Sequence, residues 1–158
     1  MFLIGKLNAE NDFLKSSLIS RLSSERLTVR EYMGEKLNTE HYYRHARSYA
    51  RRGIFSVDEP SPTIRGVNRP VPPGYKIHNG DSVKDLSKVR PLTALERSFI
   101  QTFPETFKWV DTNKSTLEQI IGNAVPVNLA QFVGSAIVRY ERRNKQIEKK
   151  KDLLAEVC

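Results

Sequence analysis

The residues with the clearest potential for chemistry lie in the stretch Gln119-Ile-Ile-Gly-Asn-Ala-Val-Pro126. Gly122 can end a short helix because it lacks a Cβ and accepts backbone angles closed to other residues. Pro126 fits the first turn of a following helix, where its missing N–H costs nothing. The pattern predicts that Asn123 lies on a tight turn, where its amide and free helix N–H groups can meet a small anionic ligand. The alternative is that Gly-Asn is only a helix cap.

Nucleophilic and metal-ligating side chains are few in this sequence. Its single cysteine is the terminal residue, Cys158, which excludes an internal disulfide and indicates a reducing cytoplasm. A thiol at a chain end is more often incidental than catalytic. His41 and His45 are four residues apart and can share a helix face, but no third ligand accompanies them. No metal site is therefore predicted.

A second motif, Arg90-Pro-Leu-Thr-Ala-Leu-Glu96, lies upstream and is followed by Phe103-Pro-Glu-Thr-Phe107. Together with Gly122-Asn-Ala-Val-Pro126, these stretches resemble the last two motifs of the DNA cytosine-5 methyltransferases. The ninth motif of that family reads approximately Arg-x-Leu-Thr-x-Arg-Glu and then Phe-Pro, and the tenth reads Gly-Asn-Ala-Val-Pro. Leu95 stands where the family usually has arginine, so it is open whether the motif keeps the charge contacts of that arginine. The resemblance covers at least residues 90–140.

The resemblance implies that S-adenosylmethionine is the cofactor of the complete enzyme, with Asn123 and Ala124 forming one wall of its pocket. It assigns structural roles in the two motifs to Arg90, Thr93, Glu96, Gly122 and Pro126. It assigns no catalytic residue, because the sequence lacks the family's Pro-Cys nucleophile, its Glu-Asn-Val motif and its glycine-rich cofactor loop. We therefore expect the isolated chain to be catalytically inert.

The amino-terminal stretch Phe2-Leu-Ile-Gly5 predicts a short buried strand. In the resembled family such a strand directly follows the eighth motif, near the end of the catalytic domain. The chain is thus expected to be the carboxyl-terminal part of a larger enzyme, whether a split subunit, a truncated product or an excised piece. A strand and an apolar helix face without their neighbours lead us to expect self-association of the isolated chain.

The charge of the chain favours an acidic partner. Its formal net charge is +8 and its sequence pI is about 9.7, which indicates nucleic acid first. A membrane is not expected as a partner, since no apolar run approaches the ~20 residues of a spanning helix. No signal peptide is apparent, which agrees with a bacterial, DNA-associated cytoplasmic protein.

Residues 41–80 carry seven basic and two acidic side chains, interleaved with aromatic residues, prolines and glycines. Ile54–Val57, Thr63–Arg65 and Tyr75–Ile77 are predicted to form short strands joined by turns. This mixture is typical of a solvated loop surface, or of a lobe that presents side chains to DNA.

The resemblance favours the second alternative, because the family places its target-recognition region here and Thr63-Ile64 matches a characteristic Thr-Leu or Thr-Ile pair. Arg65 and Arg69 are the candidates for contacts with base edges in the major groove of double-stranded DNA. Four further arginines are the candidates for phosphate contacts, namely Arg44, Arg47, Arg51 and Arg52.

Three helix starts carry the spacing of a capping box, at Thr28–Glu31, Thr93–Glu96 and Ser115–Glu118. An earlier helix is indicated by apolar residues at helical spacing from Phe13 to Leu22. After Pro126, apolar residues recur every three to four positions up to Tyr140, which predicts an amphipathic helix. The basic run that follows is typical of a solvated helix end.

These elements predict an α+β fold, with a small irregular β-rich target-recognition lobe flanked by helices. The expected divisions are residues 1–24 as the end of a catalytic segment, 25–89 as the lobe, and 90–158 as the motif region with its long helix. That helix is expected to pack on an absent Rossmann-like catalytic domain, the missing partner of this chain. The resemblance thus favours the recognition portion of a restriction-modification DNA (cytosine-5-)-methyltransferase. The alternatives are a stand-alone DNA-binding module and a protein-interaction adaptor with a basic surface.

Overall fold

The computed structural model describes residues 13–46, 48, 50–109 and 111–155, and places them in two compact units. One unit is Glu25–Val127, and the other comprises residues 13–24 and 128–155. The helices are α1 Phe13–Ile19, α2 Val29–Met33, α3 Ala94–Ile100, α4 Lys114–Asn123 and α5 Val127–Ala155, and the strands are β1 His41–Tyr43, β2 Ile54–Ser56 and β3 Arg90–Pro91. These elements form a mixed α+β fold, as the sequence predicts.

A three-stranded sheet in the order β2-β1-β3 organises the larger unit. Strand β1 runs antiparallel to β2, with Tyr42 opposite Phe55, and parallel to β3, with Tyr42 beside Arg90. Each strand has only two or three residues. The core formed by the sheet and α2 is correspondingly small, and its buried residues are Val29, Met33, Tyr42, Phe55, Val57 and Leu92.

Two of the three predicted capping boxes are confirmed. Thr28 precedes α2 and Thr93 precedes α3, and each hydroxyl accepts the backbone N–H of the glutamate three residues later. The glutamate carboxylates, of Glu31 and Glu96, accept the threonine N–H groups in return. The third box is wrong, because α4 begins two residues earlier than predicted, with Asn113 as its N-cap.

Asp81 joins the loop before β3 to the start of β2. Its carboxylate accepts the backbone N–H groups of Gly53 and Ile54 at 3.0 Å, that of His78 at 2.8 Å, and the hydroxyl of Tyr75. Burial by itself raises the pKa of Asp81, but these hydrogen bonds lower it below its usual value. One carboxylate therefore satisfies three backbone donors that no sheet neighbour reaches.

Helix α5 confirms the long helix predicted after Pro126. Ala136 and Tyr140 are buried, whereas Leu129 on the same side of the helix is exposed, so part of the apolar face remains accessible to solvent. The basic run from Arg139 to Lys151 lies mostly exposed on this helix, as expected for a solvated helix end.

Several local predictions are wrong. Thr63–Arg65 and Tyr75–Ile77 are irregular rather than strands, whereas β1 and β3 were not predicted, so the lobe is rich in loops rather than in strands. His41 lies on β1 and therefore shares no helix face with His45.

The predicted strand Phe2–Ile4 lies outside the described residues, as do Arg47 and Tyr49.

The expectation that no apolar run approaches the length of a membrane span is also wrong by length and composition. The helical stretch Lys114–Lys151 contains an apolar window long enough to cross a membrane, with 11% of that window buried. The stretch is not one continuous helix, since α4 ends at Asn123 and Ala124 has an extended conformation before α5 begins.

Replacing Asp81 by alanine is expected to destabilise the larger unit by about 2–3 kcal/mol, because buried donors lose a charged acceptor. Urea denaturation followed by circular dichroism measures the loss. Asp85→Ala is the matched control, since Asp85 is exposed and, within the described part of the chain, its carboxylate accepts hydrogen bonds from Ser87 alone. Its effect should stay within about 0.5 kcal/mol.

The sign of the pH dependence follows from the depressed pKa of Asp81. Its stabilising contribution is complete above the unfolded-state pKa of about 3.9 and is lost as the pH falls through the lower folded-state value. The stability difference between wild type and Asp81→Asn should therefore narrow in acid. A difference that stays constant from pH 7 to pH 2 would contradict this role.

Candidate nucleic-acid interface

The segment Thr63–Arg69, hereafter the recognition loop, lies in the long irregular connection between β2 and β3. Prolines at positions 60, 62, 70, 72 and 73 lack the N–H that a central strand must donate, which explains the absence of regular structure there. Thr63 and Arg69 are exposed, while Ile64 and Arg65 are half-buried. The predicted Thr-Ile pair is thus placed on an ordered but irregular loop.

Two of the predicted DNA-binding arginines tie this loop to the segment after β1. The Nε of Arg44 donates to the carbonyl of Thr63 at 3.0 Å, and Nη1 of Arg65 donates to the carbonyl of His45 at 3.1 Å. Burial lowers the pKa of Arg44 from its ordinary value, with a smaller contribution from the charge of Arg65. Both guanidinium groups therefore spend part of their donor capacity within the lobe.

Arg52 is also engaged inside the lobe. It forms an ion pair with Glu59, donates to the carbonyl of Gly80 at 3.3 Å, and lies 4.2 Å from the ring centre of Phe55. Burial raises the pKa of Glu59, but hydrogen bonds from Arg52, Ser82 and a backbone N–H outweigh it and lower the value to about 2. The contacts that the structure shows for the Arg52 side chain thus join parts of the lobe to one another.

The remaining cations of the lobe are presented outward. Arg51, Arg69 and Lys76 are exposed, and among the described residues none forms a hydrogen bond or ion pair with their side chains. They line a cleft of about 130 Å³ together with Tyr43, His45, Ala46, Pro70, Pro72 and Tyr75. Such a cleft, with positive charge and aromatic walls, suits a phosphate and the sugar or base attached to it.

His45 lies among these cations and responds to them. Burial lowers its pKa, and the charges of Arg69 and Arg65 lower it further. The imidazole is therefore neutral at neutral pH and leaves the positive charge of the cleft to the arginines and Lys76.

Behind the recognition loop, α4 approaches the loop backbone closely. A Cβ on Gly122 would collide with the main chain of Arg65 and Gly66, and a Cβ on Gly66 would come within 3.2–3.3 Å of Gln119. Gly122 lies inside α4 and has no positive φ, so the expectation that it ends the helix is wrong. Position 122 requires glycine because no side chain fits between α4 and the main chain of the loop.

Arg90, Thr93 and Glu96 form one network, which gives the spacing of that motif a physical reason. Arg90 on β3 makes a two-bond ion pair with Glu96, at 2.8 and 2.6 Å. The same carboxylate accepts the N–H of Thr93 and completes the capping box of α3. Leu95, in the family's arginine position, is largely exposed, at 54%.

Asn123 and Ala124, the predicted cofactor contacts, lie at the end of α4. The N–H of Ala124 bonds back into α4, and the buried Gln101 donates from Nε2 to the carbonyls of Ile121 and Ala124. The side chain of Asn123 is exposed, and no described residue bonds to it. Pro126 was predicted to lie in the first turn of α5, but it directly precedes that helix, which begins at Val127. Within this turn, the side-chain amide of Asn123 is therefore the group that is available to a ligand.

Sequence reasoning missed the residues that hold these pieces together. They are Asn68, Asp81, Arg97, Gln101 and Glu118, all polar and all bonded to segments distant in sequence. The sequence offers one signal only: a charged Arg97 and a polar Gln101 fall one turn apart on a short helix.

Replacing Gly122 by alanine is expected to lower the free energy of unfolding by roughly 1–3 kcal/mol, because the new methyl group overlaps the main chain of the recognition loop. Gly134→Ala is the matched control within a helix, since nothing lies within 4 Å of a Cβ there. That control should be stabilised by up to about 1 kcal/mol through helix propensity. Thermal unfolding followed by circular dichroism compares them, and stabilisation by both substitutions would refute the close contact.

Comparisons with known proteins show which family this chain resembles. The chain is 62% identical over 141 residues to the Type II methyltransferase M.HindV of Haemophilus influenzae, covering 89% of this chain and 46% of the relative. It is 56% identical over 139 residues to the Type II methyltransferase M.HgiDI of Herpetosiphon aurantiacus, covering 88% and 44%. The chain therefore spans less than half the length of these relatives. No solved structure matches it.

The model of one protein family, described as C-5 cytosine-specific DNA methylase, matches residues 4–139. This match confirms the resemblance inferred from Arg90–Glu96 and Gly122–Pro126 and extends it over most of the sequence. The chain belongs to the C-5 cytosine-specific DNA methylases.

Proposed function

We propose that this chain is the sequence-specific DNA-recognition portion of a DNA (cytosine-5-)-methyltransferase that uses S-adenosylmethionine. One observation carries the proposal: the recognition loop is held from behind by α4 of the tenth motif and presents Arg69 beside a positively charged cleft. Recognition of base edges needs side chains on a fixed backbone, and this loop has one.

The arginines of the lobe divide into two groups in this proposal. Arg44 and Arg52 hold the lobe together, whereas Arg51 and Lys76 contact phosphates, which position the protein without reading sequence. Arg69 reads a base edge, since a free guanidinium can donate two hydrogen bonds to guanine. Arg65 contributes in both ways, because its Nη1 is committed to His45 while its other donors remain.

The cofactor is assigned to the complete enzyme. S-adenosylmethionine supplies the methyl group when bound, and the exposed amide of Asn123 offers one donor and one acceptor group at the side of its pocket. Asn123 is held in place because Gln101 fixes the end of α4. The chain itself binds and orients, while the family's nucleophile has no counterpart in this sequence.

The partner of α5 is proposed to be the missing catalytic portion. Leu129 and Ile147 are exposed on the side of this helix that also carries Ala136 and Tyr140, and covering them would remove apolar surface from water. Self-association of the isolated chain through the same face stays a prediction, which light scattering across a concentration series checks. The proposed setting is the bacterial cytoplasm, where DNA is accessible.

The chain should bind duplex DNA with an affinity that falls steeply as salt rises, because phosphate binding releases counterions. Arg51→Ala and Arg69→Ala remove equal charge from one cleft and should both weaken binding. Only Arg69→Ala should reduce discrimination between sequences, by roughly 1–3 kcal/mol. Selection from a pool of random duplexes, followed by sequencing, measures discrimination. Equal profiles for the two variants would exclude base reading by Arg69, and salt-insensitive binding would favour a protein-interaction adaptor.

Purified alone, the chain should transfer no methyl group from labelled S-adenosylmethionine to DNA, because it lacks the Pro-Cys nucleophile. Activity should appear when the portion of M.HindV that this chain does not match is added as a separate polypeptide. A stand-alone DNA-binding module would remain inactive in that mixture. Cys158→Ala serves as the control, and turnover by the chain alone that disappears in this variant would overturn the assignment.

A further inference from the structure

Two buried charged side chains lie directly behind the recognition loop. Arg97 on α3 is 4% exposed and Glu118 on α4 is 3% exposed, and Nη1 of the arginine forms an ion pair with Oε2 of the glutamate. Burial lowers the pKa of Arg97 to about 10, which leaves it charged at neutral pH beside the carboxylate. Replacing a buried ion pair by well-packed apolar residues of similar volume often costs a fold no stability. Stability alone therefore does not explain this pair.

The other hydrogen-bonding groups of the pair reach the recognition loop. Nη2 of Arg97 donates to the carbonyl of Arg65. At the other end of the segment, Nδ2 of Asn68 donates to Oε1 of Glu118 at 2.9 Å and to the carbonyl of Leu92 at 2.7 Å. The loop is thus bonded at Arg65 and again at Asn68, to charges that are themselves paired.

The backbone between these two bonds has little freedom. Gly66 lies against Gln119, and the main chain of Arg65 and Gly66 lies against Gly122. The contacts from α4 come from Glu118, Gln119 and Gly122, which share one side of the helix. Arg69, the exposed cation at the cleft, directly follows the fixed segment.

We propose that Arg97, Glu118 and Asn68 form a polar clamp that sets the position of the recognition loop and thereby determines which DNA sequences the chain prefers. The three residues do not touch DNA. They act through the backbone of residues 65–68, because recognition of a base edge tolerates displacements of only about 0.5 Å. The inference rests on the proposed DNA-recognition function and adds positioning residues to it.

The test separates folding from positioning. The double variant Arg97→Met/Glu118→Leu keeps the volume and should unfold at nearly the wild-type urea concentration. Arg30→Met/Glu40→Leu is the control, since it removes the exposed ion pairs of Arg30 with Glu40 and Asp58 in the same unit. Asn68→Ala leaves the Arg97–Glu118 pair intact and removes the hydrogen bonds that the loop donates to Glu118 and to the carbonyl of Leu92, so it serves if the double variant does not fold.

Two measurements apply to all of these variants. Backbone order parameters are obtained from ¹⁵N relaxation at positions 66 and 68. They should fall from near 0.85 to below about 0.6 in the clamp variants and stay high in the control. Enrichment of preferred sequences from a random duplex pool should fall about tenfold or more, as expected for one lost base contact. Total binding at low salt should change by less than about threefold, because the phosphate-binding cations remain.

The outcomes distinguish the clamp from the proposed function. A wild-type chain that enriches no sequence would overturn the proposed function. In that case, low order parameters at positions 66 and 68 of the clamp variants would still show that the clamp holds the loop, and high ones would show that it does not. A folded double variant with rigid Gly66 and Asn68 would overturn the clamp, whatever the DNA result. A mobile loop with unchanged enrichment would show that the clamp does not set specificity, and would overturn that role.

Discussion

The larger unit depends on one close contact, between the helix α4 and the backbone of the recognition loop. At Gly122 no Cβ separates the helix from the main chain of Arg65 and Gly66, and Gly66 in turn lies against Gln119. Main chains can approach this closely only where side chains are missing. A loop of prolines and arginines cannot hold itself in one conformation by hydrogen bonds of its own, so a rigid element must support it.

Charged side chains supplement the apolar core of this unit by bonding to its backbone and to one another. Its buried core is small, and its strands are too short to satisfy their own backbone donors. Asp81 accepts backbone N–H groups that the sheet leaves unpaired, and Glu59 pairs with Arg52. The arginines bonded inside the unit help to hold it together, while the exposed cations of a chain with a net charge of +8 favour a polyanion as partner.

The parts of the fold that were predicted correctly are those with local causes. The capping boxes at Thr28 and Thr93 each depend on four consecutive residues, so their spacing alone identifies them. The strand β1 was missed because it exists through partners at residues 54–56 and 90–91, which no local pattern reveals. Glu118 has the same box spacing, but burial beside Arg97 gives it a different partner.

In the candidate site, too, the sequence predicted the features with local causes and missed those that depend on distant residues. Positive charge, aromatic residues and prolines indicated a recognition lobe, and the paired motifs indicated the family. Sequence could not show which arginines are engaged, because Arg44 and Arg65 bond to carbonyls about twenty residues away. For Gly122, a helix cap and a close contact make the same demand on composition, and only the three-dimensional structure distinguishes them.

Helix α3 connects recognition to the turn that carries Asn123. Arg97 and Gln101 are four residues apart, so they lie on one side of the helix. Arg97 reaches the recognition loop, and Gln101 donates to the carbonyls of Ile121 and Ala124 while accepting the N–H of Val127. A shift of α3 would therefore move the loop and the end of α4 together. The proposed DNA-reading loop and the proposed cofactor contact thus share one support, the seven-residue helix that begins at the Thr93 capping box.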